Sequence, residues 1–239
     1  MVSRPGPSLD GLGTPESYWR ACPGLASLPR WEPPTPPCGR VVVVSPHPDD
    51  EILGAGGCAA RLAATGATLT LVAVTDGENS HPGRSDHLRS TRPGESAAAL
   101  AVLGVPDPEI LRLGLPDGAV DREQLAARLI EIIGPGDLVL APWEGDGHPD
   151  HDATGAASVT AAAATGARAL GYLVWAWHWM TAADLPWDRA FRVDLDPGTT
   201  RRKRQAARCF ASQIHGPDAI LPDHVLVRLT RHFEVVLCP

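Results

Sequence analysis

The stretch RVVVVSPHPDDE, residues 40–51, joins an apolar run to a cluster of proline, histidine and acidic residues. A second stretch, LVLAPWEGDGHPDHD at 138–152, repeats this arrangement. A buried parallel strand that ends in such a cluster brings polar side chains to the carboxyl edge of a sheet, where open α/β sheets bind ligands. Imidazoles and carboxylates gathered there bind divalent metals and transfer protons. The two stretches therefore predict a zinc-dependent hydrolytic site.

Helix capping offers a simpler explanation of each cluster. Asp and Ser are common helix N-caps, and Pro suits the first helical turn. A single cluster would be explained about equally well by capping. Residues 45–51 and 147–152 together contain three His, four Asp and one Glu, which is more than capping requires. The pair of clusters therefore favours a functional site.

Between residues 40 and 170, apolar runs alternate with helical segments, and glycine follows each main predicted helix, as is typical of helix C-termini. This alternation predicts right-handed crossovers and an α/β fold: a Rossmann-like, mainly parallel sheet with helices on both faces and the metal site at the carboxyl edge of the strands. The predicted strands are Val41–Ser45, Thr68–Thr75, Ile110–Leu113 and Leu138–Ala141, and the predicted helices are Ile52–Thr65, Pro93–Leu103, Asp121–Ile133 and Asp150–Thr165.

The pattern is less regular beyond residue 170. It predicts a strand or loop at Trp175–Trp179, a helix at Thr199–Phe210, and late strands at Val225–Leu229 and Phe233–Leu237. Residues 1–38 are rich in Pro and Gly, which suits neither a helix interior nor a central strand. We expect them to form an extended arm packed across one domain, residues 39–239.

Composition excludes several classes of protein. The 239 residues are 44% hydrophobic, enough for one large α/β domain. A net charge of -7 argues against a nucleic-acid partner, and the basic run at 201–204 is read as a solvated helix face. Neither a signal peptide nor an apolar run of about 20 residues occurs, so we expect a cytoplasmic protein without membrane insertion.

The cysteines are odd in number and lack C-x-x-C spacing, which argues against both a disulfide framework and a thiolate zinc site. They are Cys22, Cys38, Cys58, Cys209 and Cys238. Any metal site therefore has to come from His and carboxylate ligands.

A catalytic zinc usually has three protein ligands and one water. His47 and Asp50 lie three residues apart after the first strand, so both can point at one ion. His148 and His151 have the same spacing after the later strand. Asp49 is then free to take a proton from water, and His148 can stabilise an oxyanion or protonate a leaving amine.

These motifs resemble the N-acetylglucosaminyl-phosphatidylinositol de-N-acetylase family, known as the PIG-L type. The main matches are PHPDDE at 46–51 and HPDH at 148–151. Weaker motifs extend the resemblance over about residues 40–215: TDGE at 75–78, Arg92 with Glu95, LPDG at 115–118, and Lys203 with SQ at 212–213.

The resemblance implies His47, Asp50 and His151 as zinc ligands, Asp49 as general base, and His148 as electrophilic or acid partner. It also implies that Glu78 and Arg92 approach the sugar or its substituent. An alternative for Arg92 is a surface pair with Glu95, one helical turn away.

Three further residues have two interpretations each. Asp146, between two glycines, either orients a metal-bound His or serves a turn. His178, together with Trp177 and Trp179, either lines the substrate site or packs in the core. Glu51 either contacts substrate or is an acid favoured in the first turn of a helix.

The resemblance implies an N-deacetylase with one Zn²⁺ per chain, although other divalent metals also fit. Its substrate would be an N-acetylglucosamine-type amino sugar or related N-acyl small molecule, in bacterial secondary metabolism or in thiol or glycoconjugate biosynthesis. The alternatives are an amidase for a non-sugar N-acyl conjugate, a catalytically silent sugar-binding relative, and an iron(II) oxygenase, which also uses two His and one carboxylate. The sequence leaves the oligomeric state open.

Overall fold

A computed structural model describes residues 11–34, 39–105 and 107–239. Its strands form a seven-stranded sheet in the order β3-β2-β1-β4-β5-β7-β6. From β3 to β5 neighbouring strands run parallel, whereas β7 is antiparallel to both β5 and β6. The mainly parallel sheet is therefore confirmed. The strands are β1 (Arg40–Ser45), β2 (Thr68–Ala73), β3 (Glu109–Arg112), β4 (Leu138–Pro142), β5 (Arg168–Tyr172), β6 (Ala190–Asp194) and β7 (Phe233–Leu237).

The helices of the described residues vary from one turn to five. They are α1 (Glu16–Ala21), α2 (Pro23–Ala26), α3 (Asp50–Leu53), α4 (Gly56–Ala64), α5 (Ser85–Leu103), α6 (Arg122–Ile132), α7 (Pro149–Thr165), α8 (Ala176–Trp179), α9 (Pro197–Ala207), α10 (Ala211–Ile214) and α11 (Asp223–Leu229). A short 3₁₀ turn occupies Trp187–Arg189. None of the helices in the described ranges is both long and apolar enough to cross a membrane.

The valines of β1 show why the sheet is covered on both faces. Side chains alternate between the two faces along a strand. Val41 and Val43 belong to a core that includes residues of α4, α5 and α9. Val42 and Val44 belong to a second core with residues of α6 and α7. A continuous apolar run is the expected sequence of such a doubly buried strand.

Strand order places the two polar clusters side by side. From β1 the chain builds outward to β2 and β3, whereas from β4 it builds the other way, to β5. The carboxyl ends of β1 and β4 therefore flank the point where the winding reverses, which is where ligands bind in open α/β sheets.

Two predicted elements are wrong in type. Val225–Leu229 is not a strand but part of helix α11. Asp223 in its first turn is an acid at the helix N-terminus, and Val225 and Leu229, four residues apart, are both buried. Trp175–Trp179 contains the one-turn helix α8 rather than a strand or loop.

Two predicted helices differ in extent. The helix predicted at Pro93–Leu103 begins two turns earlier, at Ser85, and carries Pro93 in its interior. The helix predicted at Ile52–Thr65 is two helices, α3 and α4, separated near Gly54. A Cβ at Gly54 would lie 2.1 Å from the ring of Tyr172, so this turn passes close against a neighbouring strand.

The described part of the N-terminal arm is packed against the domain, but it is partly helical rather than extended. It forms α1 and α2, and Trp19 is fully buried with its indole Nε1 donating to the carbonyl of Trp177 at 2.9 Å. Arg30 makes an isolated bridge to Arg192 of β6. Residues 1–10 and 35–38, including the predicted domain boundary, lie outside the described residues.

A buried ion pair stabilises the chain beneath the two clusters. Lys203 of α9 donates to the carbonyl of Leu53 at 2.9 Å and to Glu234 Oε1 at 2.5 Å. Glu234 in turn accepts the amide N–H groups of Gly57 and Cys58 at the start of α4. The pair therefore ties β7 and α9 to the segment that follows Asp50.

We expect Lys203→Met to lower the free energy of unfolding by about 3 kcal/mol, because it leaves the Glu234 carboxylate buried without its counter-charge. Urea denaturation of wild type and variant measures this change. Arg201→Met, at an exposed position of α9, should change stability by less than about 0.5 kcal/mol. Equal losses in the two variants would contradict the structural role given to the buried pair.

Candidate active site

The predicted ligands sit at two adjacent helix N-termini. Asp50 is the first residue of α3, just after β1, and His151 lies in the first turn of α7, just after β4. Both side chains are buried, whereas His47, in the loop before α3, is half-buried. The structure therefore brings together the three residues predicted to hold a metal.

Asp50 lies at the distance of a co-ligand from both histidines. Oδ2 of Asp50 lies 3.3 Å from Nδ1 of His47 and 3.2 Å from Nε2 of His151. Two donors at zinc-ligand distance in a tetrahedral arrangement are about 3.3 Å apart. The Nε2 atom of His151 is buried and makes no hydrogen bond. A buried ring nitrogen without a hydrogen bond next to a carboxylate fits a metal ligand.

Other donor sets lie close to the predicted one. Donor atoms of His47, His148 and His151 lie within 4.8 Å of one another, as do those of His47, Asp117 and Asp150. The first of these alternatives replaces Asp50 by His148. The second uses Nε2 of His47, which faces Asp117 and Asp150. Three carboxylates around His47 make the region acidic enough to attract a divalent cation.

Asp146 lies beside His151. Its Oδ2 lies 2.9 Å from Nδ1 of His151, and its two oxygens also accept the amide N–H groups of residues 174–176. Burial opposes protonation of His151, but the carboxylates of Asp50 and Asp146 outweigh burial and raise the pKa of His151 to about 9. A carboxylate on the outer nitrogen directs the inner nitrogen toward a metal.

His47 has two carboxylates on its outer side. Its Nε2 lies 3.1 Å from Oδ1 of Asp117 and 3.1 Å from Oδ2 of Asp150. Asp150 is fixed by the amide N–H groups of Gly118 and Val120. Sequence reasoning assigned no role to Asp117 or Asp150, although both belong to motifs that it had noted, LPDG and HPDH.

Asp49, the predicted base, has a strained backbone and a buried carboxylate. Its φ of 143° is a conformation that side chains other than glycine rarely adopt. Its amide N–H donates to Glu51 at 2.9 Å, and its Oδ2 accepts from Arg92 at 2.9 Å. Burial raises the pKa of Asp49 to about 8, with Arg92 opposing the rise and Asp50 adding to it. A carboxyl with so high a pKa is a competent proton acceptor near neutral pH.

Glu51 does not contact the cavity as a substrate ligand would. It is buried, and its carboxylate accepts from Ser45, from the amide of Asp49 and from Ser96. The predicted substrate contact is therefore unsupported. The contacts instead favour a positioning role, because one oxygen of Glu51 holds the strained peptide of Asp49.

We expect Glu51→Gln to lower kcat on the order of 10²-fold with bound metal retained, because displacing a base by about 1 Å costs that much. Steady-state kinetics and metal content check this. In an Asp49→Asn background the same change should add little, since Glu51 acts through Asp49. Asp196→Asn, which alters another carboxylate that accepts backbone N–H groups, is the control and should leave kcat unchanged. A full effect of Glu51→Gln in the double variant would contradict the positioning role.

Arg92 is also placed differently from the prediction. Its guanidinium donates to the carbonyls of Pro48 and Gly77, at 2.7 Å each, and to Asp49. It does not pair with Glu95, which accepts instead from Ser212. Arg92 borders the cavity, but its described contacts hold the loop and the base.

We expect Arg92→Met to move the acidic limb of the kcat/KM profile to higher pH. Asp49 must be ionised to accept a proton, and the Arg92 guanidinium lowers the pKa of Asp49. Without that charge the pKa of Asp49 rises. Asp49 then becomes protonated, and activity is lost, at a higher pH than in the wild type. Arg89→Met, which removes a half-exposed arginine one turn away, should leave the limb in place. A higher KM with an unmoved limb would show that Arg92 binds substrate.

His148 is the N-cap residue of α7, and its Nδ1 accepts the amide N–H of Asp150 at 3.2 Å. Burial, together with the charges of His151 and His47, lowers the pKa of His148 to about 4. The ring is therefore neutral near pH 7, with its proton on Nε2. Such a ring donates a hydrogen bond without carrying charge.

Glu78 and His178 do not border the cavity in the way predicted. Glu78 is buried and lies 3.3 Å from Arg89. His178 lies on the far side of α8, where Gly13 and the ring of His224 are its neighbours. Trp177 is likewise in the core, against Trp19. The substrate contacts predicted for Glu78 and His178 are thus unsupported by the described geometry.

The candidate catalytic residues Asp49 and His148 line a cavity of about 380 Å³. Trp175 and Trp179, rather than Trp177, form part of its wall, with ring centroids 4.9 Å apart and nearly parallel planes. Residues two positions apart in a helical turn point to opposite sides, so Trp177 faces away from Trp175 and Trp179. The sequence prediction of Trp179 at the cavity is therefore supported, whereas Trp177 was named in place of Trp175 because no helical turn was predicted there.

A family comparison agrees with this site. The model of the PIG-L family, described as GlcNAc-PI de-N-acetylase, matches residues 42–162, just over half of the chain. The chain belongs to the PIG-L family. The matched range contains His47, Asp49, Asp50, His148 and His151, so the resemblance inferred from the motifs is confirmed.

Curated relatives are similar at moderate identity. A 1D-myo-inositol 2-acetamido-2-deoxy-alpha-D-glucopyranoside deacetylase of Kineococcus radiotolerans is 34% identical over 189 residues, covering 62% of this chain and 51% of the relative. A protein of the same name from Streptomyces griseus is 33% identical over 205 residues, covering 73% of this chain and 63% of the relative. The chain thus spans between about half and two thirds of the length of these relatives.

The fold is shared with a deacetylase of known structure. An N,N'-diacetylchitobiose deacetylase from Pyrococcus horikoshii superposes with a TM-score of 0.60 at 24% identity, covering 77% of this chain and 73% of that one. At this identity the comparison supports the architecture of the sheet. The activity has to be argued from the site itself.

Proposed function

We propose that this PIG-L family protein is a metal-dependent N-deacetylase. Its substrate would be an N-acetylglucosamine-type amino sugar or a related N-acyl small molecule in bacterial small-molecule metabolism. The observation that carries the proposal is the placement of the buried Asp49 carboxylate beside the donors of His47, Asp50 and His151, where two parallel strands open into a cavity. A base beside metal donors is the arrangement that metal-assisted amide hydrolysis by water uses.

His47, Asp50 and His151 would hold the metal, and zinc fits two imidazoles and a carboxylate. When bound, a divalent metal supplies Lewis acidity that makes water more acidic and the amide carbonyl more electrophilic. Asp146 holds His151 in place, and Asp117 and Asp150 do the same for His47. These outer carboxylates keep the donor nitrogens of both rings directed at a common point.

Asp49 is the proposed proton acceptor. It takes a proton from the attacking water as the oxygen adds to the acetamide carbonyl, and it can return that proton to the nitrogen when the carbon–nitrogen bond breaks. Arg92 and Glu51 keep its carboxylate and its peptide in place. The products are then acetate and a free amine.

His148 is the proposed oxyanion partner. Its neutral ring carries the proton on Nε2, because Nδ1 accepts a backbone N–H. A neutral imidazole can donate a hydrogen bond to the negative oxygen that develops in the transition state. This role uses the lowered pKa of His148, whereas protonation of the leaving amine by His148 would require the charged ring.

The relatives support an amino-sugar substrate, because the deacetylases of Kineococcus and Streptomyces are named for an acetamido sugar linked to inositol. The test is release of acetate from a panel of N-acetylated sugars by the zinc-loaded protein. We expect acetate and free amine in equal amounts and no oxygen uptake. Absence of turnover on every N-acyl compound tested, with metal bound, would overturn the proposed activity and favour the silent sugar-binding alternative.

A further inference from the structure

The cavity next to the catalytic residues has two chemically different walls. One wall is polar and includes Asn79, Ser80, Arg92, Asp117 and His148. The other is mainly apolar and contains Leu53, Val174, Trp175, Trp179, Ile220 and Leu221, with the polar Gln213 also in the lining. Apolar atoms form the larger part of the lining. A substrate that fills this space has to match both surfaces.

The two walls also differ in how they relate to the family. The five polar residues named above lie within 42–162, the range that the family model matches, whereas Gln213 lies beyond it. Except for Leu53, the apolar residues lie beyond that range, in the segments 174–179 and 220–221. The family model therefore covers the catalytic half of the cavity and leaves most of the apolar wall unmatched.

The tryptophans of the apolar wall are held rigidly beside the catalytic loop. Asp146, which also contacts His151, accepts the amide N–H groups of Val174 and Trp175. The ring of Trp179 stacks on Trp175 and lies nearly parallel to the ring of His148, with centroids 6.5 Å apart. The aromatic surface thus begins directly beside the proposed oxyanion partner.

The segment bearing Ile220 and Leu221 is also fixed. The amide of Leu221 donates to the carbonyl of Gln213 at 3.0 Å. Nε2 of His81 lies 3.0 Å from the carbonyl oxygen of Asp218, which ties this segment to the chain after β2. Aliphatic side chains of this kind offer nothing for sugar hydroxyls to bind.

A polyol placed against this wall would leave hydroxyl groups without partners, and burying such groups is unfavourable. An aromatic or alkyl group placed there would gain from leaving water. The polar wall, with an amide, a hydroxyl and a carboxylate, suits the hydroxyls of the amino sugar. The two halves therefore fit one molecule with a polar and an apolar end.

We propose that the substrate carries an aromatic or alkyl group next to its N-acylated amino sugar, bound by the wall of Trp175, Trp179, Ile220 and Leu221. The inference rests on the proposed N-deacetylase activity. The apolar group comes either from the aglycone or from a longer N-acyl chain, and the two sources present the same surface to the wall.

The test compares three compounds with the zinc-loaded enzyme, with release of free amine as the readout. These are the methyl and phenyl glycosides of N-acetylglucosamine and the methyl glycoside of N-octanoylglucosamine. We expect kcat/KM for one apolar compound to exceed that of the N-acetyl methyl glycoside by about tenfold or more. A preference for the phenyl glycoside identifies the aglycone as the source, and a preference for the octanoyl compound identifies the acyl chain.

Variants locate the contact. Trp179→Ala and Ile220→Ser should reduce the preference to within about threefold, because each removes apolar surface from the wall. Ile130→Ser makes the same change at an exposed isoleucine of α6 and should leave the preference intact. If Trp179→Ala lowers all three values equally, the ring stacks on the sugar itself and the inference is wrong.

Binding separates failure of this inference from failure of the proposed function. Calorimetry with metal-free protein measures affinity for the same compounds without hydrolysis. Tighter binding of an apolar compound without turnover would overturn the deacetylase proposal and support the apolar site. Equal turnover and equal affinity for all three compounds would leave the deacetylase proposal standing and overturn the apolar site.

Discussion

Asp49→Asn is expected to retain metal and fold while lowering kcat by about 10² to 10⁴. The substitution keeps the size of the side chain and its hydrogen bond with Arg92 as an acceptor, but an amide cannot take the proton of the attacking water. KM should change little, because the loss falls on the transition state. Near-normal turnover by a fully metal-loaded variant would exclude Asp49 as the base.

The Asp49→Asn measurement needs a control for the loss of one negative charge near the site. Asp152→Asn neutralises a carboxylate in residues 147–152, one that accepts the amide N–H of Gly147. It should leave the rate within a few-fold, since Asp152 has no contact with the base. Metal content of both variants, measured by elemental analysis, shows that the comparison concerns proton transfer rather than metal loss.

The positions of the two clusters could be predicted from sequence because each follows a doubly buried strand. A run of β-branched residues such as Val41–Val44, apolar at every position, is typical of a strand covered on both faces. The helices between β1 and β5 could then be predicted, because helical segments alternate with the apolar runs and glycine follows each main predicted helix. Parallel order brings the carboxyl ends together without further information, so His47 and His151 meet as expected.

The second half of the chain was harder to predict because its elements are short. Helix α11 spans seven residues and α8 four, too few to show a helical period. In α11 the β-branched residues of VLV imitate a strand, and tertiary packing overrides that local preference. The break between α3 and α4 comes from the approach of Gly54 to Tyr172, a contact that local sequence does not contain.

The roles of residues around the base were also beyond sequence reasoning. Glu51 and Arg92 belong to recognised motifs, but a motif does not say whether a side chain faces substrate or protein. Only the fold shows that both hold Asp49, and that Glu78 and His178 are directed elsewhere. Charged residues near a catalytic site are therefore easy to find from sequence and difficult to assign.

His151→Ala is expected to lose both metal and activity. It leaves His47 and Asp50 as donors, and two protein ligands hold zinc weakly. Dialysis against metal-free buffer followed by elemental analysis should find little metal in the variant and near-stoichiometric metal in wild type. His87→Ala, at an exposed position of α5, is the matched control and should keep both metal and activity.

The same measurement discriminates among the donor sets around His47. If Asp50 is a ligand and His148 is not, Asp50→Asn should lose metal, whereas His148→Ala should keep metal and lose rate. The reverse result would assign the ion to the three imidazoles. If His151→Ala keeps its metal and Asp117→Asn loses it, the ion lies instead on the outer side of His47, between Asp117 and Asp150, too far from His151 for the proposed mechanism. We expect loss of metal in Asp50→Asn and not in His148→Ala. Among the described carboxylates in ion pairs with these histidines, only that of Asp50 lies within 3.3 Å of a nitrogen of both His47 and His151.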